Sequence, residues 1–388
     1  MRKLFVVTTV MTLTCATWAG PANQVGPISE SIRVQCKLTD FYQQGTTIHG
    51  LPIVASSHVS PYAIKEAAWD QLVGGQPAIL QTMAKRNAFV TVMAHNEYTT
   101  DVPEHARLKP RVYWDRRARG LGGVPVSCGE ENLLCFPNDP YAQENLLIHE
   151  FAHGMHSQAL KQLYPDFQAR LEAAYKQAKQ DGRWEDTYAI TNPAEYWAEA
   201  VQSWCDDNRE NDAQHNHVNT RAELKAYDPV LAKLCAEVLG DRPWRYIKPQ
   251  QRKAADQAHL TGYDFTQSPS FQWRKEPITD KPRVRIRTAI GAIELELYAE
   301  QAPKTVANFI RYVHDGYYKN GYFFRTVRSD NQPDNPVKIS VIQAQADPNR
   351  TPDAFEPILV ERTRDTGLKH LDGTISMARM GPDTATHH

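Results

Sequence analysis

Two histidines and a glutamate stand together in the run His149-Glu150-Phe151-Ala152-His153. On a helix, positions i and i+4 lie one above the other, about 6 Å apart along the axis, so both imidazoles can grip a single Zn2+. Glu150, one residue beyond His149, points beside that ion, where it can take a proton from a bound water. The pattern is short and also fits an exposed helix that merely carries two histidines, so a further ligand has to be found. His156 shares the face at i+7, but a rise of about 1.5 Å per residue sets it about 10.5 Å from His149, too far for one ion to be held by both. A longer pattern with Gly at 156 and His at 159 is not met either, because His156 and Ala159 occupy those places.

The third ligand is expected downstream. In the segment 187–199, Asn192 is suited to cap a helix and Pro193 to open its first turn, which places Glu195 and Glu199 on one face. That arrangement puts Glu195 on the metal and leaves Glu199 free to orient a histidine ligand from behind. Tyr196, Trp197, Ala200 and Val201 surround the two carboxylates, which is not the composition of a solvated face. Cys205, beside Trp204, reads as a buried thiol rather than a ligand. The polar stretch 206–220 reads as a solvated loop near the cleft, with His215 and His217 at the surface.

The elements that must position these residues are mostly helical. Apolar residues recur at three-to-four spacing over 62–73, 77–86, 144–162, 167–180, 193–206 and 221–239, and 88–95 is the best strand of this half. An aperiodic, proline-bearing stretch at 263–281 has the composition of a linker. Beyond it the pattern alternates: a hairpin turning at Gly291, a helix over 303–315, and strands over 322–327, 337–343 and 373–378. The predicted organisation is a leader at 1–19, a domain over 20–262, a linker over 263–281 and a second domain over 282–388, which suits a chain of 388 residues. The fold class expected is α+β.

Forty-four basic against forty-five acidic side chains leave a formal charge of -1, which gives no field for nucleic acid or an anionic membrane. Met1-Arg2-Lys3, the apolar run after them and Ala19 read as an export signal, and no later segment is apolar enough to span a bilayer, so no stable membrane insertion follows its removal. The expected location is secreted or periplasmic. Five cysteines follow: Cys36, Cys128, Cys135, Cys205 and Cys235. Cys128 and Cys135 flank a short stretch and are the easiest pair to close as a disulfide, and the odd count leaves one thiol over.

The segments HEFAH and TYAITNPAEYWAEAVQSW resemble the catalytic domain of anthrax-lethal-factor-like zinc metallopeptidases, most strongly over about 140–207, with 30–250 as a compatible frame. The resemblance implies a helix-rich zincin-like domain with His149, His153 and Glu195 on Zn2+ and Glu150 as general base. It also implies that Tyr188 hydrogen-bonds an oxyanion and that Glu199 stands behind a ligand. The second half, with APKTVANF, FFRTV, ISVIQAQADP and DGTISMARMGPDTA, resembles the opening of a cyclophilin-type peptidyl-prolyl isomerase over about 283–388. There Arg325 matches the arginine that hydrogen-bonds the prolyl peptide, and Gln343 the glutamine beside it. Ser340 replaces a phenylalanine that many members place in the proline pocket. The match stops at His388, so a truncated cyclophilin-like β-barrel with an open edge is expected.

Three functions are in play. The first is a secreted zinc-dependent peptide-bond hydrolase. The second is a peptidyl-prolyl isomerase carrying the first domain as an appendage, and the third is a non-catalytic peptide-binding module. All three imply a peptide or protein partner, and none implies nucleic acid.

Overall fold

The computed structural model describes residues 24–68, 76–275, 281–334, 336–350 and 355–386. The expected leader at 1–19 and the end of the helix expected over 62–73 lie outside them. A mixed helix-and-sheet fold is observed, in keeping with an α+β class.

The first half is built on a six-stranded sheet. Its strands are β1 (Gly26–Pro27), β2 (Gln44–Ile48), β3 (Leu51–Ala55), β4 (Val90–Met93), β5 (Gly120–Leu121) and β6 (Val126–Gly129), in the order β1-β2-β3-β4-β6-β5. Strands β3, β4 and β6 run parallel, while β2 and β5 flank them antiparallel. Every residue of β3, β4 and β6 is buried, as expected of central strands covered on both faces. Continuous burial removes polar/apolar alternation from these strands, and of the six only β4, within 88–95, is expected as a strand from the sequence.

Helices cover this sheet: α1 (Glu30–Cys36), α2 (Pro61–Ala67), α3 (Pro77–Lys85), α4 (Arg111–Asp115), α5 (Glu130–Leu133) and α6 (Leu146–Met155). After α6 the chain winds through a π-helical turn, His156–Leu160, into the single turn α7 (Lys161–Leu163). Then come α8 (Phe167–Gln180), α9 (Pro193–Trp204), α10 (Arg221–Tyr227) and α11 (Pro229–Leu239). The single helix expected over 221–239 is broken at Asp228. Pro229 has no N–H to continue a helix and pushes the residue before it out of the helical region, and the Asp228 carboxylate caps the new start by accepting from Leu231 N at 3.1 Å.

The expected Cys128–Cys135 disulfide is not formed, and all five described cysteines are free. Cys128 lies inside β6 with its thiol in the core, and the residues between the two sulfurs form α5 rather than a closing loop. The first part of the expected linker packs on this half: Phe271 is buried, its N–H donates to Pro137 O at 2.9 Å, and Arg274 pairs with Asp101 at 2.5 Å.

In the second half β7 (Arg283–Thr288) and β8 (Gly291–Glu296) form the expected hairpin, followed by α12 (Pro303–His314). Strands β9 (Tyr322–Val327) and β10 (Val341–Gln345) pair antiparallel, and α13 (Thr363–Thr366) is a single turn. The strand expected over 373–378 is absent. Among the described residues the tail makes one isolated bridge, Ile358 to Ala385, so two separate two-stranded sheets stand where a barrel was expected. Val112 of α4 packs with Leu297, Ala299 and Val306, and Arg116 meets Glu300 at 2.8 Å.

Candidate functional site

Helix α6 starts where Asn145 Oδ1 accepts from Ile148 N at 3.2 Å, which fixes the phase of the helix carrying His149, Glu150 and His153. Helix α9 starts on Asn192, whose Oδ1 accepts from Ala194 N and Glu195 N, with Pro193 in the first turn as the sequence predicts. The two helices are locked by Trp197 Nε1 donating to Ala152 O at 3.1 Å. Gly154 lets α6 approach the sheet, since a Cβ there would lie 2.4 Å from Val126 Cγ2.

This packing brings three donor atoms together. His149 Nε2 lies 3.1 Å from Glu195 Oε2, His153 Nε2 lies 3.2 Å from the same oxygen, and the two ring nitrogens are 3.2 Å apart. Ligands held tetrahedrally on bonds of about 2.0–2.1 Å stand about 3.3 Å from one another, so this triangle is the face of a zinc-sized site. The donor set, two imidazoles and a carboxylate, fits that ion. Desolvation pulls His149 down, but its hydrogen bond to Glu195 and the charges of Glu150, Glu199 and Glu195 prevail and push it up to about 10. Desolvation raises Glu195, and its contacts with His149 and His153 outweigh that and hold it well below the usual carboxylate range.

Glu150 lies under β5, where a Cβ on Gly120 would come within 2.9 Å of its Cγ. Removal from water raises its carboxyl above the ordinary value, against the lowering by His149 and His153. Tyr188 opens a short 3-10 turn, and its ring centroid lies 6.2 Å from that of His149. Burial, followed by the Glu195 charge, pushes its hydroxyl far up. His156 is turned away, with Nε2 2.7 Å from Gln168 Oε1.

Glu199 stands 3.6 Å from His149 Nδ1, while Gln202 Oε1 is nearer at 2.7 Å. Gln202 was not anticipated, although it lies seven residues beyond Glu195 and therefore on the same face of α9. His215, expected at the surface, is buried, 2.8 Å from Asp212 and 3.4 Å from Glu199. His217 is exposed and Cys205 is buried.

In the second half Arg325 of β9 and Gln343 of β10 are direct cross-strand partners, so their side chains share one face of the pair. A bulge follows between Gln343 and Ala344. Arg325 is exposed and Gln343 half-buried, and Phe323 and Val341, two residues away on each strand, are also exposed.

The family model for cyclophilin type peptidyl-prolyl cis-trans isomerase/CLD matches residues 283–388. Peptidyl-prolyl cis-trans isomerase A of Dickeya dadantii is 33% identical over 109 residues, which cover 28% of this chain and 52% of that protein. Peptidyl-prolyl cis-trans isomerase-like 1 of Neurospora crassa is 36% identical over 105 residues, 26% of this chain and 58% of the relative. The isomerase-like 2 protein of Aspergillus fumigatus is 35% identical over 118 residues, 29% of this chain and 18% of the relative. The chain thus spans little more than half the length of the first two and less of the third. No solved structure matches the chain. These matches overturn the leading expectation, a secreted zinc-dependent peptide-bond hydrolase: the family model and the relatives are isomerases, which is the function ranked second from sequence. It is residues 283–388, rather than the chain as a whole, that these matches place with the cyclophilin-type isomerases.

Proposed function

We propose that the chain is a peptidyl-prolyl cis-trans isomerase acting on peptide or protein substrates through residues 283–388. The observation that carries this reading is the pairing of Arg325 with Gln343 on one face of β9 and β10. Rotation about the peptide bond is opposed by its partial double-bond character, a barrier of about 18–20 kcal/mol. An Arg325 N–H donated to the prolyl nitrogen draws its lone pair out of conjugation and lowers that barrier, while the Gln343 amide positions the neighbouring peptide. Exposed Phe323 and Val341 offer apolar contact to the proline ring. No bond is made or broken and no cofactor takes part.

The test is exchange NMR on an Ala-Pro peptide with the full chain at catalytic concentration. Isomerisation faster than the uncatalysed rate is expected, with Arg325→Ala lowering kcat/KM by about tenfold to a hundredfold, the worth of a charge-assisted hydrogen bond of about 1.5–3 kcal/mol. A wild-type chain that leaves the exchange rate unchanged refutes the reading.

A second proposal concerns the first half: His149, His153 and Glu195 hold a Zn2+ ion, and Glu150 and Tyr188 wall the site. The triangle of donor atoms at 3.1–3.2 Å supports it, and the matches to isomerases, confined to the second half, leave it untouched. The zincin-like character expected of 20–262 belongs to the same proposal. Metal analysis of the purified chain is expected to find one zinc, lost in both His153→Ala and Glu195→Ala. Wild type without zinc after supplementation refutes the site.

A further inference from the structure

We propose that Gln202, held in place by Glu144, is the positioning residue that fixes the His149 ring for metal binding. The inference rests on the zinc reading of the His149, His153 and Glu195 cluster. To present a lone pair at Nε2, His149 must carry its proton on Nδ1, and a metal-ligating histidine donates that second N–H to a fixed acceptor. Two acceptors compete for it. Gln202 Oε1 lies at 2.7 Å and Glu199 Oε1 at 3.6 Å, beyond hydrogen-bond reach.

An amide can turn over and present its NH2 instead, so its orientation needs a cause. Gln202 is completely buried, and its Nε2 donates to Glu144 Oε2 at 2.8 Å. Turning it over would set the amide oxygen against the carboxylate and the amide NH2 against His149 Nδ1, losing both hydrogen bonds of a fully buried side chain. The other Glu144 oxygen is 3.2 Å from Arg209 Nε, so the carboxylate is itself held by an ion pair. Arg209, Glu144, Gln202 and His149 therefore form one chain whose polarity leaves the Nε2 lone pair directed at the cluster.

Glu199, which the spacing on α9 nominated for this role, is engaged elsewhere. Its Oε2 accepts from Asn208 Nδ2 at 2.9 Å and lies 3.4 Å from His215 Nε2. The hydrogen-bond partner of His149 is thus a neutral amide, itself held by the Glu144 carboxylate, with the Glu199 carboxylate close by at 3.6 Å but outside hydrogen-bond reach.

The experiment titrates the full apo chain with zinc against a chromophoric chelator, and records the visible spectrum with Co2+ in place of zinc. Gln202→Leu, which keeps size and removes the acceptor, is expected to bind zinc about 10- to 100-fold more weakly and to alter the Co2+ bands. The paired exchange Gln202→Glu with Glu144→Gln reverses donor and acceptor between the two residues and keeps an oxygen facing His149 Nδ1. It is expected to restore affinity to the wild-type level or above, which also separates the effect from a folding defect. Gln202→Leu within threefold of wild type, or a paired exchange as weak as Gln202→Leu, overturns the proposal. So does a loss confined to Glu199→Gln, which would return the role to Glu199. A wild-type chain that binds no zinc removes the metal site itself, an outcome distinct from all of these.

Discussion

Gly122 follows β5 and lies against the second histidine of α6. A Cβ built there would stand 2.3 Å from His153 Cβ and 3.0 Å from its Cγ. Carbon atoms rest about 3.5–4.0 Å apart, so Gly122→Ala demands a separation of about 1.2 Å or more. Helix α6 cannot supply it, because Gly154 already touches Val126 on one side and Ala152 O is bound by Trp197 on the other. Residue 122 is tethered in turn by the pairing of Leu121 with Ser127. With α6 held as a whole, the strain falls on the backbone of His153 itself, since a Cβ cannot swing away by side-chain rotation, and metal bonds tolerate only about 0.2 Å of error. Structural zinc sites bind with about 10–16 kcal/mol spread over four ligands, roughly 3 kcal/mol each, so Gly122→Ala should weaken zinc by about a hundredfold. The assay is competitive chelation of zinc, with apo melting curves recorded alongside. Wild-type affinity in Gly122→Ala refutes the reasoning. A fall in apo stability with zinc binding kept would do so too, by showing that the loop moves rather than His153.

Two further outcomes concern stability. Burial, aided by the Arg107 charge, lowers His105 from 6.5 to about 4. The unfolded chain therefore binds more protons between those values, and the contribution present above pH 6.5 is lost on acidification, by about 2 kcal/mol between pH 7 and pH 5. Asp139, raised to about 6 by burial, acts in the opposite sense. The informative quantity is thus the difference in urea melts between wild type and His105→Gln at the two pH values, and equal pH slopes would contradict the assignment. The Arg119–Glu131 pair is fully buried, with Arg119 Nε 2.5 Å from Glu131 Oε1. Glu131→Leu strands the guanidinium and should cost about 3–5 kcal/mol in denaturant unfolding, whereas a loss under 1 kcal/mol would show that water reaches Arg119.

Much of the candidate zinc site was legible in the chain because its determinants are local. The spacing of His149 and His153, the Asn192 cap, the Pro193 first turn and the alternation of the β7–β8 hairpin each depend on residues within a turn or two. The six-stranded sheet was not legible, because β3 and β6 are short and buried on both faces and so lack alternation. The break at Asp228 was carried by Pro229 but masked by apolar spacing that runs through it. His215 reads as a surface residue until the loop 206–220 folds back and places Glu199 and Asp212 beside it.

By itself the sequence determined which residues share a helix face, where α9 begins, and which family residues 283–388 resemble. It left undecided which side chains from different elements meet. His153 and Glu195 converge on one point across 42 residues, and Glu144 reaches Gln202 across 58. Periodicity states which side of a helix is apolar, but not the angle and register at which two helices cross. Those are set by packing, here by Gly154 on Val126 and Trp197 on Ala152. The same packing decided that Gln202, rather than Glu199, stands behind His149.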